Sequence, residues 1–269
     1  MKKIRIIPRL DIKGTNLVKG IHLEGLRILG NPSDFAEHYY KNGADELLLM
    51  DVVASLYERN GLSELISEIS KNIFVPITVG GGIRNILDIK NVLRAGADKV
   101  SINTAAINNK KFIKEAINEF GSSTITIAIE AIKGLDGEYF AFTDNGRENS
   151  GLKAIEWAKE VERLGVGEII LTSVDNEGTG KGFDFDLLEL FKSIKIPVIY
   201  HGGINNIENA LNACEKFDIQ GISIASCFHY KLINDNTINS RLNCPKSISG
   251  FSIKKLKSIL KNNNILTRK

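Results

Sequence analysis

The chain has 269 residues, 43% hydrophobic and 25% charged, with a net charge of +3. That composition excludes a disordered, collagenous or coiled-coil protein, and no apolar run reaches the roughly 20 residues of a membrane span. Three cysteines, Cys214, Cys227 and Cys244, are too few and wrongly spaced for a disulfide framework or a CxxC metal site. The amino-terminal stretch lacks the apolar core of a signal peptide, so the expected location is cytoplasmic, with no metal and no cofactor.

In chain order, strand-like runs are read at 4–11, 45–51, 75–79, 99–102, 124–130, 168–172, 197–201 and 221–225. Most are continuous stretches rich in Ile and Val, the pattern of parallel strands buried on both faces. Helix-like stretches lie between them, among them 33–42, 62–71, 86–95 and 153–164. Eight strands, each followed by a helix, predict an α/β chain folded as a (β/α)8 TIM barrel. A doubly wound open sheet is the alternative, but it normally has fewer strands. Two inserts interrupt the alternation. Residues 14–31 read as a long loop after the first strand, and 133–150 as a hairpin after the fifth.

The barrel is expected to contain an internal repeat. Leu10-Asp11-Ile12-Lys13-Gly14 recurs loosely at Ile129–Gly134, Gly81-Gly82-Ile83-Arg84-Asn85 at Gly202–Asn206, and Val100–Ala105 at Gly221–Ser226. Two half-barrels follow from this, with no linker between them, so residues 1–269 read as one domain. Its basic C-terminal segment, 230–269, carries nine Lys or Arg against one acid and includes the last helix. A solvated helix face is the plain reading of that segment, and contact with an acidic partner is the sharper one. Aromatics do not interleave with its charges, so no nucleic-acid partner is expected, and no membrane either.

Four sets of residues carry candidate chemistry. Asp11 and Glu130 end the first and fifth strands at the C-terminal face, where barrel active sites sit; opposed carboxylates suit acid–base work on either side of a flat substrate. Either one is equally a candidate for capping a helix or pairing with a lysine. Gly82 with Asn103 and Thr104, and Gly203 with Ala225 and Ser226, form two related glycine-and-helix-start turns suited to phosphate. A tight turn alone explains one such glycine; the repeated pair implies a ligand with phosphates at both ends. Arg5, Glu46, Lys99 and Glu168 all start strands, with a parity that points them inward as an ion-pair ring at the barrel bottom. That ring is either a structural plug or one that opens. No two histidines have metal-ligand spacing, though His201 ends the seventh strand beside a glycine turn.

These residues resemble the HisF family, the cyclase subunit of imidazole glycerol phosphate synthase. The resemblance spans about residues 3–229 and rests on LDIKGTNLVKG, ADELLLMDVVAS, TVGGGIR, RAGADKVSINTAA and GEIILTSVDNEGTGKGFD. It implies that a separate glutaminase subunit docks at the N-terminal face. Ammonia then passes through the barrel to a bisphosphorylated ribulosyl substrate. It implies catalytic roles for Asp11 and for Lys19 on a mobile lid loop, places Glu130 at the second catalytic carboxylate, and makes the two glycine sets phosphate sites. The four strand-start charges become an ammonia gate. The departures lie at Glu130 and Glu177, where the family has aspartates, at Arg9 and His201, where it has small residues, and in an extra segment near 232–249. Arg9, Glu177 and His201 are expected to line the substrate pocket. The pattern resembles a divergent branch associated with surface-polysaccharide gene clusters, whose members pass ammonia to a sugar-amidating partner enzyme. The alternatives are the genuine cyclase of histidine biosynthesis, a non-catalytic ammonia conduit or scaffold, and the sister phosphoribosyl isomerase, which needs no ammonia gate.

Overall fold

The computed structural model describes residues 3–54, 62–240, 244–245 and 248–268. Eight parallel strands run β1 (Lys3–Lys13), β2 (Leu47–Asp51), β3 (Ile77–Gly80), β4 (Lys99–Ile102), β5 (Ile125–Lys133), β6 (Glu168–Ser173), β7 (Val198–His201) and β8 (Gly221–Ile224). Each pairs with the next, and β8 pairs back onto β1 with Arg5 opposite Gly221, so the sheet closes into a barrel. Helices follow the strands around the outside. This is the (β/α)8 barrel expected from the alternation, with strand boundaries within two or three residues of those read.

Parity along each strand divides two apolar regions. Ile4, Ile6 and Leu10 of β1 face outward into the large layer beneath the helices. Ile7 faces the bore and meets Leu48, Ile170 and Ile199 there. The outer helices are amphipathic and locally well specified. Lys110–Phe120 buries Phe112, Ile113 and Ala116, is capped by the Asn109 side chain accepting from Lys111 N–H, and stops at Gly121, whose φ is +83°.

The stretch 14–31 is not a loop. It forms an antiparallel hairpin, Asn16–Ile21 with Glu24–Gly30, which extends β1 by pairing Asp11 with Val18. The turn sits at His22 and Leu23, both with positive φ; neither is the Gly or Asn that normally announces such a turn, which hid the hairpin in the sequence. The hairpin expected at 133–150 is present, Tyr139–Thr143 with Glu148–Lys153, and it extends β5 in the same way. At the carboxyl end, helix Ile253–Asn262 buries Ile253, Leu256 and Leu260. Lys254 and Lys255 are exposed, and Lys257 reaches Asp45 at 2.6 Å. The helix is amphipathic, with its apolar side on the barrel. Beyond it, Leu266–Thr267 pairs with Lys3–Ile4.

Candidate active site and bore

The four strand-start charges meet at the N-terminal end of the bore. Arg5 Nη1 lies 2.9 Å from Glu46 Oε1, and its Nη2 pairs with Glu168. Lys99 Nζ lies 3.4 Å from Glu46 Oε2 and 3.2 Å from Glu168 Oε2. Each cation therefore touches both anions, and the four close a ring. Above it lies the apolar layer of Ile7, Leu48, Ile170 and Ile199. The same inward parity brings Ser101, Thr126 and Ser223, whose buried hydroxyls have no hydrogen-bond partner among the described residues.

At the other end, the hairpin after β1 folds down over the bore. Lys19, on its first strand, is fully buried; its Nζ is 3.4 Å from Asp11 Oδ2 and pairs with Glu177. The hairpin tip is held by the loop after β6 and by the second hairpin. His22 N–H donates to the Glu177 carbonyl at 2.9 Å, Leu23 N–H to the Glu177 carboxylate at 3.3 Å, and the Asn145 amide to the Leu23 carbonyl at 3.2 Å. Gly178 permits the closure, since a Cβ there would sit 2.4 Å from the Gly20 carbonyl oxygen.

Asp11 and Glu130 stand on opposite strands, β1 and β5, in unlike environments. Burial alone would raise the Asp11 carboxyl, but Arg9 at 2.7 Å and Lys19 hold it below its ordinary value. Glu130 accepts from the Asn103 amide at 3.0 Å, and burial pushes it up to about 7. One carboxyl is thus ionised and the other half-protonated near neutrality, which is how two like groups divide acid and base roles. Burial also works against the Glu177 carboxylate, but the Lys19 ammonium holds it well below the carboxylate range. The His201 imidazole is held down by burial and by Arg9. Its Nδ1 lies 3.0 Å from the Ser223 carbonyl, which can only accept, and its Nε2 lies 3.5 Å from Glu177 Oε1.

Two cavities flank this cluster. The first, about 330 Å³, brings together Gly82, Asn103, Thr104 and Glu130. The second, about 20 Å³, brings together Gly203, Ala225, Ser226, Glu177 and His201. Arg9 lines neither; it is buried beneath them in the bore. Sequence reasoning missed Asp51, Asp144 and Asn145 in the wall of the first cavity. Asp51 ends β2 as Asp11 ends the expected first strand, and that position was the available signal; Asp144 and Asn145 lie on a hairpin turn whose fold-back onto the barrel no local pattern announces. Among the described residues no group of three His, Cys, Asp or Glu is placed to hold a metal ion, and no helix is long and apolar enough to cross a membrane.

Residues 5–234 match the sequence family described as "Histidine biosynthesis protein". A Hydrogenobaculum protein named "Imidazole glycerol phosphate synthase subunit HisF" is 42% identical over 265 residues, covering 98% of each chain. The chain belongs to the HisF family. A Legionella pneumophila HisF of the same name is 52% identical over 209 residues, 77% of this chain and 99% of that one. An Exiguobacterium HisF is 43% identical over 230 residues, 85% and 89%. None of these names mentions a polysaccharide or a sugar-amidating role, so membership of a polysaccharide branch is not supported, and the relatives favour the histidine-pathway alternative instead.

Proposed function

We propose that this chain is the cyclase subunit of imidazole glycerol phosphate synthase. In this reading it accepts ammonia from a separate glutaminase subunit docked at the N-terminal face. It joins that ammonia to the ribulosyl part of a bisphosphorylated precursor; as the new imidazole ring closes, the bond to the aminoimidazole part breaks, giving imidazole glycerol phosphate and releasing an aminoimidazole ribotide that keeps the second phosphate. One observation carries the reading: a closed ring of four charges at one end of the bore and two unlike carboxyls, Asp11 and Glu130, at the other. The names of the HisF relatives support the same assignment.

The roles follow from the environments. Asp11, held ionised, takes protons as ammonia adds and the ring closes. Glu130, near 7, gives and takes protons at neutral pH. Lys19 clamps the hairpin over the reacting centre and fixes Asp11 electrostatically. The Gly82, Asn103 and Thr104 turn takes one phosphate, and the Gly203, Ala225 and Ser226 turn takes the other once the hairpin lifts. Arg5, Glu46, Lys99 and Glu168 gate entry to the bore. The test is genetic. Expression in a histidine-requiring strain that lacks its own cyclase restores growth without histidine. Failure to grow, with the folded protein present, overturns the reading.

A further inference from the structure

The bore has a second obstruction that neither the ring nor the hairpin supplies. Arg9 follows Arg5 and Ile7 in inward parity on β1, so its side chain starts inside the barrel, above the apolar layer. Its Nε donates to Asp11 Oδ1 at 2.7 Å, and its Nη1 lies 3.4 Å from Thr172 Oγ1. Thr172 belongs to β6, which is separated from β1 by β7 and β8. A side chain that is rooted in one wall and bonded to the other crosses the bore. An eight-stranded barrel has an interior just wide enough for side chains to fill, so a guanidinium lying across it narrows the passage. Arg9 is 1% exposed, and among the described residues its Nη2 has no hydrogen-bond partner. The guanidinium is therefore pinned at two corners and free at the third, unlike the fully engaged ring at the bottom.

We propose that Arg9 is a positioning residue that closes the upper bore, so that a small molecule rising from the ring reaches Asp11 and Glu130 only when the guanidinium withdraws. The closure is coupled to the chemistry, because the acceptor that holds Arg9 in place is Asp11 itself. Any ligand group that draws the Asp11 carboxylate away loosens the latch, and the unpartnered Nη2 offers a foothold for an anionic or carbonyl oxygen that pulls the side chain upward. This inference rests on the proposed ammonia route only for the identity of what passes; the obstruction itself is a property of the isolated chain.

The test reads the bore without requiring turnover. Thr126 is fully buried on the inward face of β5, and neither cavity reaches it. A Thr126→Cys variant is treated with methyl methanethiosulfonate, and modification at position 126 is followed by peptide mass. Reaction is slow with Arg9 present and at least about tenfold faster in Thr126→Cys with Arg9→Ala, while Arg9→Met, which keeps the length but not the charge, stays slow. Arg9→Ser replaces the alanine variant if the latter does not fold. Equal rates with and without the arginine overturn the proposal. So does acceleration only on Lys99→Ala, which would leave control to the ring alone. Because the thiol reading needs no substrate, a failed cyclase assay beside a confirmed block would separate this inference from the functional assignment.

Discussion

The two halves of the barrel share a backbone and differ in what fills it. Gly81 and Gly202 both have φ near +100°, and a Cβ on either would strike a strand-end carbonyl, that of Asp51 at 2.2 Å and that of Ser173 at 2.6 Å. Asn85 and Asn206 cap their helices in the same extended conformation, each side chain accepting from an N–H three residues on. Asn103 and Ala225 precede theirs with the same uncommon angles, φ −124°, ψ −87° and φ −113°, ψ −81°. A hairpin extends the first strand of each half. The contents are not alike. The cavity at the first-half turns is about 330 Å³ and reaches Glu130, while the cavity at the second-half turns, walled by Glu177 and His201, is about 20 Å³. The backbone frame is duplicated, and the difference in side chains sets which half is ready for a ligand.

The sharpest way to break this comparison is to neutralise the two carboxyls in turn. Asp11→Asn lowers ammonia-dependent turnover by about 10²–10⁴-fold, the range for loss of a positioned acid–base group. Glu130→Gln also lowers it, and it removes the pH dependence centred near 7, whereas Asp11→Asn leaves that dependence in place. Rates measured from pH 5 to 9 on the three proteins check this. An unchanged pH profile in Glu130→Gln would show that the β5 carboxyl does not act.

The same carboxyl has a signature in stability. Folding raises it from 4.5 to about 7, so between those values the native state keeps a proton that the unfolded chain has released. Its contribution is complete below about pH 4.5 and is lost as pH rises through 7. Glu130→Gln therefore gains on the wild type at pH 8 relative to pH 5, by on the order of 3 kcal/mol at most, read as a change in Tm difference. Equal Tm differences at both pH values contradict it.

The duplicated frame is tested by glycine substitution. Gly81→Ala and Gly202→Ala each cost roughly 1–3 kcal/mol, because each combines a positive φ with a close carbonyl. Similar losses in Tm support the twofold frame; a harmless substitution in one half argues against it. The smallest effect concerns anions. Inorganic phosphate at ten times its dissociation constant raises stability by about 1.4 kcal/mol through the first half-site, and Gly82→Ala removes that gain. A shift that survives Gly82→Ala places the anion elsewhere.

The sequence carries most of the frame because buried parallel strands declare themselves as Ile and Val runs, and because the repeat quotes the same turns twice. It carries the ring as well, since strand-start position and parity together determine where Arg5, Glu46, Lys99 and Glu168 converge. The hairpin at Asn16–Ile21 was invisible, because His22 and Leu23 turn the chain without turn-forming residues. Arg9 was legible as a neighbour of Asp11, and the structure shows that pairing at 2.7 Å. Its crossing to Thr172 was not legible, because that contact joins residues 163 positions apart on non-adjacent strands. The unequal size of the two cavities likewise depends on where Glu177 and His201 meet, which no local pattern specifies.

The most direct test of the central assignment is turnover by the purified chain, with ammonium salt as nitrogen source and the ribulosyl bisphosphate precursor as substrate. The assignment predicts imidazole glycerol phosphate at a rate usual for enzymes, on the order of 1 s⁻¹ or faster. A folded protein that forms none of it would contradict the cyclase reading.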